Sequence, residues 1–292
     1  MKEKENQMNK TVVYQGVEGA YSHLASSQIF SNSKLIASNS FFESMQMVEN
    51  GQADFGVIPI ENSSAGRVEE IHRLIPKMQL NIIEEYFHPI KHALLAVKGF
   101  KKEDLKTVSS HPQALAQCAN NIKKFNLEAI SEFDTAGSAM KLEETNDKTH
   151  AVIASTLAAD IYNLDIVEEE FFDYVGNVTR FIILSKKADF PKFDNKKSYI
   201  TSLIFSVRNI PAALYKALGG FATNGIDLIK IESYSGIGSM YSTQFHVDLY
   251  GHIDEKRLEL ALDELKFFVE ELKIIGVYER HEYRDRMCEI DS

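Results

Sequence analysis

Phe55-Gly56-Val57-Ile58-Pro59-Ile60-Glu61-Asn62-Ser63 decides the fold class. Its first six residues are an apolar run that reads as a short buried strand. The run opens into Glu61-Asn62-Ser63-Ser64-Ala65-Gly66-Arg67, and open α/β sheets bind ligands in such loops at strand carboxyl ends. Similar units flank it. Thr11 to Tyr14 reads as a strand, followed by a glycine loop, Gly16 to Ser22, with Ser22 as the expected helix N-cap. Phe41 to Glu49 reads as a helix stopped by Asn50-Gly51. Further strands are expected at Ile90 to Val97, Val152 to Ala154 and Phe181 to Leu184, and helices at Pro112 to Phe125 and Asp134 to Glu144. This alternation implies an α/β domain with a largely parallel sheet.

Downstream, the charged stretch Lys186 to Lys197 carries a proline and neither periodicity, so it reads as a linker. Beyond it, Tyr199 to Val207 is a strand and Pro211 opens a helix that closes near Asn224-Gly225. Strands follow at Ile226 to Ser233 and Tyr241 to Tyr250, with Gly236-Ile237-Gly238 as the hairpin turn between them. In the latter strand Tyr241, Thr243, Phe245, Val247 and Leu249 alternate with Ser242, Gln244, His246 and Asp248. Leu258, Ala261, Leu262, Leu265, Phe268, Val269 and Leu272 then recur at helical spacing, and Ile274 to Tyr278 closes as a strand. The order βαββαβ is the ferredoxin-like arrangement. A small domain of this kind tends to pair its exposed sheet face with a second copy.

The 292 residues suit two domains at about 100–200 residues each. A hydrophobic content of 44% excludes a disordered chain. Thirty-two basic against 42 acidic side chains leave a net charge of −10, which argues against a broad nucleic-acid surface. The two cysteines, Cys118 and Cys288, form neither a disulfide framework nor a zinc spacing and fit a reducing compartment. The segment Met1 to Lys10 is charged and polar, unlike a signal peptide. No uncharged apolar stretch reaches the length of about 18 residues that a span needs. A soluble cytoplasmic protein without nucleic-acid or membrane partners is expected.

Four clusters fall where a strand gives way to a helix: Gly16 to Ser22, Pro59 to Arg67, Ser109 to Gln113 and Asp134 to Ala136. Helix N-termini there offer free N–H groups to an anion. Each cluster alone also fits a routine cap and turn, yet Asn62, Ser63, Ser110 and Gln113 together exceed what capping needs. In Asn177-Val178-Thr179-Arg180-Phe181, Arg180 suits a carboxylate, although by itself it better suits a surface ion pair. Metal and nucleophile readings fail on geometry. His88 and His92 flank Pro89 and would lie roughly 13 Å apart in a strand. His111 and Cys118 would be about 10.5 Å apart along a helix. Gly16-Val17-Glu18-Gly19 is neither a dinucleotide fingerprint nor a P-loop. No cofactor or metal is expected.

In order, these motifs resemble the prephenate dehydratase family: Gly16 to His23, Gly56 to Ser63 with Gly66 and Val68, His111 to Cys118, Asp134 to Ala136 and Asn177 to Phe181. The later domain resembles the amino-acid-binding ACT module that follows the catalytic domain in that family. The resemblance implies a catalytic domain at 11–187 built as two α/β subdomains around a cleft, like a solute-binding protein. It implies a linker at 188–198, an ACT domain at 199–281, and no room ahead for a chorismate mutase domain. The implied reaction converts prephenate to phenylpyruvate with loss of water and carbon dioxide, in phenylalanine biosynthesis. Thr179 is then the expected catalytic residue, with Asn62, Ser63, Ser110, Gln113, Arg180 and Phe181 expected to bind substrate. Asn209, Ala212, Ala213, Leu214, Glu232 and Ser233 map onto the family's phenylalanine site. Three positions depart from the family pattern: Ala212 stands for glycine, Tyr234 for arginine and Ser235 for proline. Phenylalanine is the expected effector, and a homodimer or homotetramer the expected assembly. The alternatives are arogenate dehydratase activity, a non-catalytic phenylalanine sensor, and a cytoplasmic solute-binding protein.

Overall fold

The structure is a computed structural model that describes residues 10–235 and 243–285. The turn expected at Gly236-Ile237-Gly238, the strand residues Tyr241 and Ser242, the segment ahead of Lys10 and Cys288 lie outside the described residues. The chain forms two compact units. The first runs up to Met47 and takes in Gln52–Val68 and Phe87–Phe181; the second takes in Val48–Gly51, Glu69–Tyr86 and the chain from Ile182 onward. The unit that holds the βαββαβ elements therefore also includes segments from well upstream. Among the described residues no helix is long and apolar enough to cross a membrane.

In the first unit the strands Lys34–Ser38, Thr11–Gln15 and Phe55–Asn62 lie parallel, in that order. The start of Val178–Ser185 takes the place beyond Phe55–Asn62. Pro59 sits inside a central strand without breaking the Thr11–Gln15 ladder, because that ladder uses only Phe55 to Val57. A second sheet has the order Asp165–Glu168, Ala93–Ala96, His150–Ala154, Thr107–Ser110, Glu128–Ser131. Its central strands Ala93–Ala96 and His150–Ala154 bury both faces. Leu94 and Ile153 pack with Leu115 and Ile122 on one side, while Leu95 and Val152 pack with Ala139, Leu142 and Ala158 on the other. Alternation along each strand thus supplies two apolar layers, one for each set of helices.

Three local expectations change. Ile90 to Val97 is not one strand: Asn81–Pro89 ends at its proline, and Ala93–Ala96 starts anew. The helix expected from Pro112 splits into Pro112–Gln117 and Ala119–Lys124 at Cys118, whose φ of −118° and ψ of 11° leave the helical region. Ser22 lies inside the helix Tyr21–Ile29, whose N-cap is Ala20.

The second unit contains Tyr199–Val207, Ala213–Thr223, Leu228–Ser235, Thr243–Tyr250, Lys256–Phe268 and Val269–Glu279, the ferredoxin-like order. The sheet is antiparallel, with Tyr199–Val207 between Thr243–Tyr250 and Val269–Glu279. Phe245, Val247 and Leu249 meet Ala217, Phe221, Leu258, Ala261 and Leu265 of the two helices. The last helix stops at Phe268, earlier than the spacing of Val269 and Leu272 suggests. Pairing of Val269 with Val207 and of Leu272 with Phe205 pulls those residues into the sheet, so tertiary contact overrides the helical period. The polar face is not left open. His246 and Asp248 are each 1% exposed. Ser202 Oγ bonds Asp248 Oδ1 at 2.5 Å, and His72 of the helix Glu69–Leu74 reaches His246. The expectation of an exposed sheet face is corrected at these positions.

Candidate active site

A cavity of about 260 Å³ in the first unit is lined by both of its sheets. One side supplies Pro59, Asn62, Thr179 and Phe181; the other supplies His92, His111, Gln113, Gln117 and Asp134. Tyr21 and Ser22 bring the start of Tyr21–Ile29 to the wall. That helix has no side-chain cap, so its first-turn N–H groups lack an intrahelical partner.

Asn62 closes the strand Phe55–Asn62 and opens a tight return to Gly66–Arg67. Its Oδ1 accepts from the backbone N–H of Ser64 at 3.0 Å and of Ala65 at 2.9 Å. Gly66 then adopts φ +78°, which favours glycine. Held in this way, Asn62 Nδ2 donates to Thr179 Oγ1 at 3.0 Å and to Asn177 Oδ1 at 2.7 Å. Gln113 Nε2 donates to Asn62 Oδ1 at 3.3 Å. Thr179 is 9% exposed. Its hydroxyl accepts from Asn62, and its own proton meets no acceptor among the described residues.

Strand alternation separates neighbours in the last motif. Thr179 and Phe181 reach the cavity. Arg180 points the other way: its side chain is 2% exposed and its Nη1 lies 3.1 Å from Glu61 Oε1. Arg180 is not on the cavity wall. Neither is Ser110, which is fully buried and donates through Oγ to the Ile153 carbonyl at 2.6 Å. Ser63 is exposed and splints the final strand instead. Its Oγ accepts from Val178 N–H at 2.9 Å and donates to the Gly176 carbonyl at 3.2 Å.

A polar chain continues from Asn177 through residues that had no assigned role. Asn177 Nδ2 donates to Gln117 Oε1 at 2.9 Å, which also meets His92 Nε2 at 2.8 Å. His92 Nδ1 lies 2.9 Å from the Tyr21 hydroxyl. Asn177, Gln117 and Tyr21 all lie within the quoted motifs, but sequence spacing gives no sign that they touch. Burial lowers the His92 pKa, with the Gln117 hydrogen bond opposing it in part. Burial also pushes the Cys118 thiol up to about 12, with Asp173 adding to it, so this cysteine is no nucleophile at neutral pH.

Of the residues mapped onto an effector site, Asn209 and Ala212 are exposed, Ala213 is buried and Leu214 packs against the domain core. Ala212 sits in the left-handed region at φ +57° immediately before Ala213–Thr223. Glu232 and Ser233 lie on Leu228–Ser235. Tyr234 is buried, and its hydroxyl has no hydrogen-bond partner among the described residues.

A sequence profile of prephenate dehydratase matches residues 12–189, more than half of the chain. The chain belongs to the prephenate dehydratase family. A bifunctional N-acyl-homoserine lactone acylase/prephenate dehydratase of Komagataeibacter europaeus is 39% identical, over 94% of this chain and 98% of that protein. An arogenate dehydratase/prephenate dehydratase of Arabidopsis thaliana is 37% identical, over 91% of this chain and 71% of that protein. The crystal structure of Arthrobacter aurescens prephenate dehydratase in complex with L-phenylalanine superimposes with a TM-score of 0.86 at 27% identity. It covers 96% of this chain and 98% of that one. The chain is accordingly a lyase of the prephenate dehydratase type, acting by dehydration and decarboxylation in aromatic amino-acid biosynthesis. Its two-subdomain catalytic part followed by a ferredoxin-like domain is the expected family architecture.

Proposed function

We propose that prephenate binds in the cavity and that Thr179 donates a hydrogen bond to its departing ring hydroxyl. The observation that carries this reading is the Asn62–Thr179 contact, in which Thr179 accepts and so keeps its proton for the cavity. Losing carbon dioxide and hydroxide aromatises the ring, so the driving force is in the substrate. The protein has to hold a fragmenting geometry and help hydroxide leave as water. A threonine hydroxyl is a weak acid, and an accepted hydrogen bond from Asn62 sharpens it as a donor. Stabilising the leaving oxygen is its task here.

Gln113 and Phe181 form the substrate wall in this reading. Asn62 spends its amide on Thr179 and its neighbours and acts by orienting them. Prephenate carries two carboxylates, and among the described residues no lysine or arginine lines the cavity. The uncapped start of Tyr21–Ile29 is the proposed site for one of them. Arg180, Ser63 and Ser110 support the final strand and the floor.

The proposed division places the catalytic domain at 11–187, a linker at 188–198 and an effector-binding domain at 199–281. The phenylalanine complex of the Arthrobacter relative supports L-phenylalanine as the effector, and Asn209, Ala212 to Leu214, Glu232 and Ser233 are the residues proposed to hold it. A homodimer or homotetramer and a cytoplasmic location complete the proposal. Turnover of prephenate and, separately, arogenate tests it, each with and without phenylalanine. Phenylpyruvate formation that phenylalanine suppresses is expected. Preference for arogenate moves the enzyme to the amino-analogue step, and absence of turnover with both substrates overturns the reading.

A further inference from the structure

We propose that His92 is a positioning residue for the dehydration, holding the Thr179 hydroxyl in its donating orientation through Gln117, Asn177 and Asn62; the inference rests on Thr179 as the donor to the leaving group.

The direction of every bond in this chain follows from two backbone groups. Backbone N–H groups only donate, so Ser64 and Ala65 require Asn62 to present Oδ1 to them. Asn62 Nδ2 is left for Thr179 Oγ1 and Asn177 Oδ1. Asn177 then turns Nδ2 toward Gln117, which must answer with Oε1. The same Oε1 meets His92 Nε2, and an amide oxygen only accepts. His92 Nε2 therefore carries the proton, and its bare Nδ1 shares the Tyr21 hydroxyl proton with the Lys91 carbonyl, 2.8 Å from that oxygen. The ring is 3% exposed, and the segment that follows fastens it. Phe171 N–H donates to the His92 carbonyl and Asp173 N–H to the Gln117 carbonyl.

Gln117 is the weak link. Its Nε2 is buried and has no hydrogen-bond partner among the described residues. Reversing the amide would cost Gln117 nothing at that end, since it would only exchange one buried orphan for another. His92 Nε2–H is what opposes the reversal. Without it, a reversed Gln117 presents Nε2 to Asn177, Asn177 reverses in turn, and Asn62 Nδ2 faces another amide nitrogen. Asn62 itself stays turned by Ser64 and Ala65, so the two facing donors push its Nδ2 away from Thr179 Oγ1 and weaken the bond that leaves the Thr179 proton free. A single imidazole proton thus biases the amides of Gln117 and Asn177 and, through them, the Asn62–Thr179 contact.

The test is steady-state kinetics on prephenate together with ring NMR. In His92→Leu, kcat falls about tenfold to hundredfold, the scale of a misplaced group, while KM and melting temperature stay near the parent. His92→Gln, which returns an N–H to the Nε2 position, recovers most of the loss. Adding His92→Leu to Thr179→Val costs nothing further. Long-range proton–nitrogen spectra of the parent show a protonated Nε2 and a bare Nδ1 on His92. Parental kcat in His92→Leu, no recovery in His92→Gln, or a bare Nε2 overturns the positioning role. If Thr179→Val itself turns over like the parent, the donor assignment falls first. If Thr179→Val is inactive while His92→Leu is not, only the role of His92 falls.

Discussion

Asn62 and Thr179 are 117 residues apart in sequence and joined by a 3.0 Å hydrogen bond whose direction is fixed by the turn that Asn62 caps. Asn62 closes one strand of the first sheet, and Thr179 lies at the start of its neighbour. Removing either partner should disable the same step by different means. In Thr179→Val the shape survives and the hydroxyl does not, so kcat should fall about 10²- to 10³-fold with the fold intact. Asn62→Asp should approach that loss, because a carboxylate takes the Thr179 proton instead of donating to its oxygen. Stopped assays with prephenate and a melting curve check both. Near-parental turnover in Thr179→Val would remove the donor assignment.

Arg180→Met separates a structural cation from a carboxylate ligand. With its side chain 2% exposed and Glu61 33% exposed, the pair is half-buried. Breaking it should cost about 2–3 kcal/mol of stability, below the value for a fully buried pair because Glu61 retains solvent. Urea unfolding is the measurement. A raised KM with unchanged stability would return Arg180 to the substrate.

Ala212→Gly should stabilise the protein by about 1 kcal/mol, since only glycine adopts a φ of +57° without a Cβ penalty. The family pattern has glycine there for a reason visible in this backbone. Thermal unfolding at saturating and zero phenylalanine reads the effect and shows whether the methyl also hinders the effector.

Stability should fall on acidification below neutral pH. Burial lowers the pKa values of His23, His88, His92 and His150 below the ordinary imidazole value, and that of His88 reaches about 4. Between about 6.5 and that value the unfolded chain binds more protons than the folded one, so stability rises with pH across the window. His88 alone contributes on the order of 3 kcal/mol between its ends. Glu84, whose pKa burial raises, works in the opposite direction. Urea midpoints at pH 7.5 and 5 test the sign, and equal midpoints would contradict it.

Much of this protein was legible in its residues. The apolar run Phe55 to Ile60, the glycine at position 66 and the alternation from Thr243 to Tyr250 are local signals, because strand period and turn conformation depend on near neighbours. Those signals set the α/β class, the βαββαβ order and the candidacy of Asn62 and Gln113, while Thr179 came from the resemblance to the family. What the residues alone could not decide depends on pairing across the chain. The helix ending at Phe268 is cut short by sheet register with Val207 and Phe205. Arg180 and Thr179 are neighbours with opposite roles because a strand turns alternate side chains to opposite faces, and only packing says which face meets the cavity. Tyr21, His92, Gln117 and Asn177 come from four separate segments, so their polarity was visible and their contact was not. The direction of a hydrogen bond between two amides is set by whatever lies next along the network, and only the tertiary structure supplies that neighbour.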